Sequence, residues 1–385
     1  MNSIVTSKDK FGYYTVGDFK TYSKVEAIEL HKLTGTHPHW NFNELAFASH
    51  DWTNEPTESL EELYAQRARQ IRTDYDYVVI FYSGGADSLN IVNTFIKNNI
   101  VIDEIATYNY REAESDLDSF FHSELTRVAY PQIKKWQDQG VQFRHRDIDI
   151  SRASFEIIND SQYSIDRAYY SNCAFGNNNL ARSYIREHEP DYQKLINQGK
   201  RLGFVWGCDK PRIYKENGRF CIKFLDVIDS TISNRTQLLN REWEHDELFY
   251  WAPEAVDIIC KQGHILKRFI EKHNLFYNGH NYNDYRNTEP VPITKDNPTD
   301  SELNFRNLIN TLMYQEFDPN TFTVGKPYSK IESPKDTVFT KDVIFRKQLT
   351  NLMAHLSQLD PYWLNDINNI HKGLKLCISP AYYLE

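Results

Sequence analysis

Tyr77-Val78-Val79-Ile80-Phe81-Tyr82-Ser83-Gly84-Gly85-Ala86-Asp87-Ser88 opens as an unbroken apolar, β-branched run, the pattern of a strand buried on both faces. The run ends in Ser83-Gly84-Gly85. Leu89, Ile91, Val92, Phe95 and Ile96 then recur at helical spacing. The spacing predicts a strand, a tight glycine turn and a helix, with Asp87 and Ser88 in or just before the first helical turn. Such a unit suits a polyphosphate. Glycines let backbone N–H groups approach an anion, a helix N-terminus adds favourable partial charge, and Ser83 and Ser88 offer hydroxyl donors. Tyr82, Ser83, Gly84, Gly85, Ala86, Asp87 and Ser88 are the first candidate ligand-contacting residues.

The pattern continues outward. Val101 to Tyr108 reads as a second strand, Leu117 to Gln139 as a helix interrupted at Pro131, and Gln142 to Ile150 as a strand carrying Arg144 and Arg146. Strands alternating with helices imply right-handed crossovers and a parallel sheet covered on both faces, an α/β doubly wound domain expected over residues 74–228. Ligands of such sheets bind beyond the strand C-termini, where strand order reverses. Ser83 to Ser88 and the end of the second strand, Thr107, Tyr108 and Asn109, are therefore expected at one crevice.

The flanks read as additions. Residues 1–73 are expected to be a helical preface, with helices from Ser23 to Leu33 and from Ser59 to Arg72. His37-Pro38-His39-Trp40 between them reads as a surface turn rather than a metal site, because no third ligand is near. Residues 229–276 hold an aromatic and acidic strip, Trp243 to Trp251, expected on the substrate side, and a helix from Pro253 to Lys272. Lys261, His264 and Arg268 share one face of that helix, suited to a phosphate or carboxylate or simply to solvent. Residues 277–300, rich in Asn, Asp and Pro, read as a linker or lid, and residues 301–385 as a helical C-terminal subdomain with helices near Ser301–Tyr314 and Thr340–Leu356.

Composition narrows the class. A chain of 385 residues with 40% apolar and 25% charged residues has room for a sizeable core. No apolar run approaches a membrane span and Met1 to Lys10 lacks a signal-peptide core, so no membrane association and a cytoplasmic location are expected. Five cysteines without a CxxC pair fit reduced thiols. The net charge of −9 disfavours nucleic acid as a partner and favours a small-molecule substrate. A nucleic-acid modifier would need a local basic channel, for which Arg144, Arg146, Lys326 and Lys330 are the candidates.

Ser83-Gly84-Gly85-Ala86-Asp87-Ser88 resembles the SGGxDS signature of the PP-loop ATP pyrophosphatases, the N-type adenine nucleotide α-hydrolases. Every fixed position of that signature is present. The resemblance implies a Rossmann-like, HUP-type five-stranded sheet with ATP and Mg²⁺ as cofactors. Two later segments extend it. Asn179 to Tyr184 is similar to a helix that carries an Ala-Arg pair, here Ala181-Arg182. Leu202 to Asp209 is similar to the fourth strand, with Gly207 and Asp209 at its tip. Outside that resemblance, Arg182 suits a surface helix, and Asp209-Lys210-Pro211-Arg212 a charged turn before the hairpin Ile213–Tyr214 and Phe220–Phe224.

By this resemblance ATP lies across the crevice, a substrate oxygen attacks its α-phosphorus, and the adenylated product meets a nitrogen or sulfur nucleophile. Ser83, Asp87, Ser88, Lys210 and Arg182 are then the candidate catalytic residues, with Arg212 a further phosphate cation. Asp87 and Asp209 are the candidate Mg²⁺ ligands, and Asp87 equally suits a helix cap. Paired or clustered cysteines of the thiolating and deazaguanine-forming branches are missing, Cys377 does not match the reductase motif, and Asn2 stands where a glutaminase cysteine is common. The amine- or amide-forming branch leads, with ammonia from a separate glutaminase or an amine donor. Sulfur transfer or sulfonucleotide reduction comes second, and a non-catalytic nucleotide sensor third. The whole-chain pattern also resembles uncharacterised PP-loop proteins carried by large tailed bacteriophages.

Overall fold

A computed structural model describes residues 12–21, 24–109, 125–149, 189–207, 212–224, 226, 244–273, 305–317, 361–363 and 377–385. Its centre is a five-stranded, all-parallel sheet of β4 (Tyr77–Phe81), β5 (Glu104–Asn109), β6 (Arg144–Asp149), β7 (Leu202–Trp206) and β10 (Glu244–Leu248), in the spatial order β10-β7-β4-β5-β6. Numbered as they occur along the chain, these strands run 5-4-1-2-3, so the order reverses between β4 and β7. Helices flank the sheet: α3 (Leu60–Asp74), α4 (Ala86–Lys97), α5 (Tyr130–Asp138), α6 (Pro190–Asn197) and α7 (Val256–His273). The architecture is α/β and Rossmann-like.

Local chemistry explains the central elements. Val78, Val79 and Ile80 of β4 have no exposed surface, and Ile91, Val92 and Phe95 of α4 pack as the matching helical face. α3 begins with a reciprocal capping box, in which Ser59 N–H donates to Glu62 Oε2 (2.8 Å) and Glu62 N–H to Ser59 Oγ (3.2 Å). Pro131 lies in the first turn of α5, directly after a π-helical turn at Leu125–Ala129, so the expected interruption is a helix start.

Several flanking expectations change. The preface is not purely helical. β1 (Tyr13–Val16), β2 (Phe19–Thr21) and β3 (His39–Asn41) form an antiparallel sheet in the order β2-β1-β3, beside α1 (Lys24–Thr34) and α2 (Glu44–Ser49). The described part of the aromatic and acidic strip, residues 244–251, is built into the fold. Glu244–Leu248 is the fifth strand of the parallel sheet, so a domain boundary at residue 228 would cut that sheet, and Phe249, Tyr250 and Trp251 are buried. Lys261, His264 and Arg268 dock the 52–56 loop. Lys261 pairs with Glu55 (2.9 Å), His264 Nε2 bonds the Trp52 carbonyl (2.9 Å), and Arg268 also pairs with Glu55. The C-terminal end adds the strand β11 (Tyr382–Tyr383) to the hairpin of β8 (Arg212–Glu216) and β9 (Arg219–Lys223). α8 (Phe305–Met313) matches the first expected C-terminal helix. The 277–300 segment and the second expected helix lie outside the described residues.

Buried charge ties these layers together. Arg67 of α3 donates to Glu247 of β10 (2.6 Å), whose other oxygen accepts from Tyr75, and all three side chains are buried. At the amino edge of the sheet, Glu104 accepts from Arg146 (2.8 Å), Tyr77 (3.0 Å) and Tyr192, and Arg144 pairs with Asp191 (2.7 Å). The two arginines expected of a basic channel are thus neutralised by carboxylates, at the edge opposite the glycine turn. No helix among the described residues is long and apolar enough to cross a membrane. Substituting Arg67→Leu should leave Glu247 buried without its cation and cost about 3–5 kcal/mol in urea unfolding. A loss under about 1 kcal/mol would mean the pair is not buried as described.

Candidate functional site

The turn after β4 is built by its own residues. Tyr82 N–H donates to the Ala106 carbonyl (2.9 Å), carrying the β4–β5 ladder one residue beyond β4. Gly84 then takes φ +80°, a left-handed conformation that disfavours any side chain, and Gly85 caps α4 with no side chain of its own. Ser83 and Ser88 close the turn. Ser83 N–H donates to Ser88 Oγ (3.3 Å), Gly85 N–H to Ser83 Oγ (3.2 Å), and Ser88 Oγ to the Gly85 carbonyl (3.1 Å). Ala86 and Ser88 are buried, while Ser83 is exposed. The first turn of α4 therefore points its amide end at the carboxyl edge of the sheet, a setting that favours an anion.

The opposite wall comes from β7. Phe81 and Trp206, the last residues of β4 and β7, stack with centroids 3.7 Å apart, and Trp206 Nε1 donates to the buried Asp246 (2.9 Å). Gly207 follows directly. A Cβ placed there would lie 3.2 Å from Ser88 N and 3.3 Å from both the carbonyl carbon and the Cβ of Asp87. The strand tip and the helix start meet across the reversal point, closer than a side chain ordinarily allows. Sequence reasoning paired the turn with the end of the second strand. The resemblance also put Gly207, at the tip of the fourth strand, there, and the sheet order sets β7 across the reversal point with β5 on the other side of β4.

Asp87 is held from two sides. Its side-chain Oδ1 accepts from the Tyr314 hydroxyl, and its backbone carbonyl accepts from the Tyr250 hydroxyl (2.8 Å), itself bonded by Asn90 Nδ2 (3.0 Å). Gly85, not Asp87, is the N-cap of α4, so the expected capping role of Asp87 is not taken. Burial and the Asp87 charge both raise the pKa of Tyr314, and burial with the neighbouring Tyr64 and Asp87 raises that of Tyr250. Both remain protonated donors at neutral pH. Tyr250 lies in the aromatic and acidic strip expected on the substrate side, whereas Tyr314 was not among the residues expected from sequence, since it is far from Asp87 along the chain.

Thr107 is fully buried, with its hydroxyl 3.1 Å from both Asp147 Oδ1 and His145 Nε2, so its side chain serves the sheet rather than an open crevice. Tyr130 donates to the other Asp147 oxygen (3.0 Å), and burial lowers the His145 pKa. Tyr108 and Asn109 complete β5 at the same carboxyl edge. Arg182, Asp209 and Lys210 lie outside the described residues. His39 pairs with Glu44 (2.9 Å) and His37 stacks on His31, and no cluster of three metal-ligating side chains occurs among the described residues.

A cleft of about 940 Å³ lies elsewhere, along the groove of α3 and α4, lined by residues that include Ser59, Arg69, Asn90, Lys97 and Glu316. Its lysines are already matched, Lys97 by Glu316 (2.9 Å) and Glu61 (3.6 Å) and Lys261 by Glu55 (2.9 Å), while Arg69 donates to Asn98 Oδ1 (3.1 Å). The turn at the reversal point, where the amide end of α4 meets the hydroxyls of Ser83 and Ser88, is the candidate anion site. Replacing Gly207 by Ala should press the new methyl group against the first turn of α4 and cost roughly 1–3 kcal/mol of stability. Wild-type urea unfolding by that variant would contradict the close approach. No family model matches the chain, and no curated protein matches it in sequence.

Proposed function

We propose that the chain is an ATP-dependent adenylating enzyme of PP-loop type. It cleaves ATP to AMP and pyrophosphate, activating a small-molecule or nucleobase acceptor for attack by an amine or ammonia. The observation that carries this reading is the complete Ser83-Gly84-Gly85-Ala86-Asp87-Ser88 signature seated at the reversal point of a five-stranded parallel sheet. The strand order supports the HUP-type assignment, because it agrees with the five-stranded Rossmann-like sheet that the resemblance implies.

The chemistry asks for positioning rather than for a protein nucleophile. An acceptor oxygen forms a bond to the α-phosphorus as the bond from that phosphorus to pyrophosphate breaks. The amine then attacks the acceptor carbon, and AMP departs with the oxygen. Charge gathers on pyrophosphate, and the hydroxyls of Ser83 and Ser88 with the amides of the glycine turn are the groups suited to stabilise it. The donor set fits Mg²⁺, since a magnesium ion takes one or two carboxylates plus phosphate oxygens and water, and Asp87 supplies a carboxylate beside the turn. When bound, the ion would neutralise phosphate charge. Arg182, Lys210 and Asp209 keep the roles that the resemblance implies, as phosphate cations and a second carboxylate.

The described thiols disfavour sulfur transfer. Burial pushes the Cys221 thiol up to about 11 and the Cys260 thiol up to about 12, and Cys377 is buried as well. Incubation with Mg-ATP and a small-molecule extract should release AMP and pyrophosphate. Asp87→Ala should slow that release about 10²-fold or more while leaving the fold intact. Release at the wild-type rate by this variant would contradict the reading, and ATP returned intact under all conditions would make the protein a nucleotide sensor.

A further inference from the structure

The carboxylate of Asp87 depends on a residue that the PP-loop signature does not contain. Tyr314 follows the last turn of α8, and its hydroxyl donates to Asp87 Oδ1. Only 2% of Tyr314 is exposed, so water does not compete for that bond. The residue is fixed independently of Asp87. Its N–H donates to the Asn310 carbonyl (2.8 Å), and its ring lies 5.9 Å from that of Tyr250 and 6.3 Å from that of Tyr64. Tyr64 donates to the Met313 carbonyl (3.1 Å) and accepts from Gln262 Nε2 (3.0 Å), which pins the end of α8 to both α3 and α7. The hydroxyl is thus held in place by three helices, beside that of Tyr250, and donates to the Asp87 carboxylate.

We infer that Tyr314 is the positioning residue for Asp87: it fixes the carboxylate so that Asp87 meets the metal of Mg-ATP in a single orientation, which makes α8 a working part of the site. This inference rests on the proposed Mg-ATP reading. A carboxylate offers about four lone-pair directions, so accepting from Tyr314 and ligating a metal are compatible on one group. Groups that orient a metal ligand through a hydrogen bond typically control metal affinity by 10- to 100-fold.

The test is Tyr314→Phe, which keeps the ring among Tyr64 and Tyr250 and removes only the hydroxyl. Mn²⁺ binding would be followed by electron paramagnetic resonance in the presence of a non-hydrolysable ATP analogue, alongside the same measurement on Asp87→Asn and on the double variant. The expected result is a Mn²⁺ dissociation constant raised about tenfold or more in Tyr314→Phe. The double variant should then bind Mn²⁺ no more weakly than Asp87→Asn, because the tyrosine acts only through the carboxylate. Unchanged Mn²⁺ affinity in Tyr314→Phe, with Asp87→Asn impaired, would overturn the positioning role and leave the Mg-ATP reading standing. Wild-type Mn²⁺ affinity in Asp87→Asn would overturn both. Should Tyr314→Phe not fold, a fluorinated tyrosine at 314 keeps the ring and changes the donor strength, and unchanged Mn²⁺ affinity there would equally overturn the role.

Discussion

The contact between Gly207 and the first turn of α4 governs the architecture of the site. At a separation where even a methyl group would press within 3.2 Å of backbone, β7 and α4 lock the two halves of the sheet together at the point where their order reverses. The stacked Phe81 and Trp206 rings floor that junction, and the Trp206 indole ties it to the buried Asp246 of the outer strand. The turn between β4 and α4 therefore has a rigid base, and the hydroxyls of Ser83 and Ser88 hold the Gly85 and Ser83 amides within it.

The additions act on the site from behind. α3 and α7 hold the end of α8, α8 presents Tyr314, and Tyr250 leads out of the fifth strand to the Asp87 carbonyl. Residues from before the sheet, from its last strand and from beyond it converge on one aspartate in the first turn of α4. The same additions share an aromatic core, in which Phe42 and Phe47 of the preface meet Phe224 and Trp251, and Trp52 stacks on Tyr382 near the C-terminus. Asp226 fastens this region by accepting from the Tyr14 hydroxyl and the Cys377 amide, both at 2.7 Å. Carboxylates thus work here both as structural acceptors and as the candidate ligand.

The parts legible in the sequence are those whose cause is local. Tyr77 to Phe81 is apolar because both faces are covered, Gly84 and Gly85 mark a turn, and the apolar face of α4 repeats at helical spacing. β10 was hidden for the opposite reason. Glu244, His245, Asp246 and Glu247 read as an acidic strip on the substrate side, and partners distant in the chain, among them Trp206, Arg67 and Tyr75, make the burial of Asp246 and Glu247 tolerable. The preface strands are three or four residues long, too short to show alternation. Gly207 was visible as a strand tip, but its partner depends on sheet order, which no local pattern encodes. Tyr314 shares that limit, since nothing near it in sequence points to Asp87.

The most direct test of the central claim is a crystal structure of the full chain with Mg²⁺ and a non-hydrolysable ATP analogue. The account predicts the β- and γ-phosphates against the turn from Ser83 to Ser88, with Gly207 on the facing wall and the metal on Asp87. Nucleotide seated instead in the α3–α4 cleft, beside Arg69 and Lys97, would contradict it.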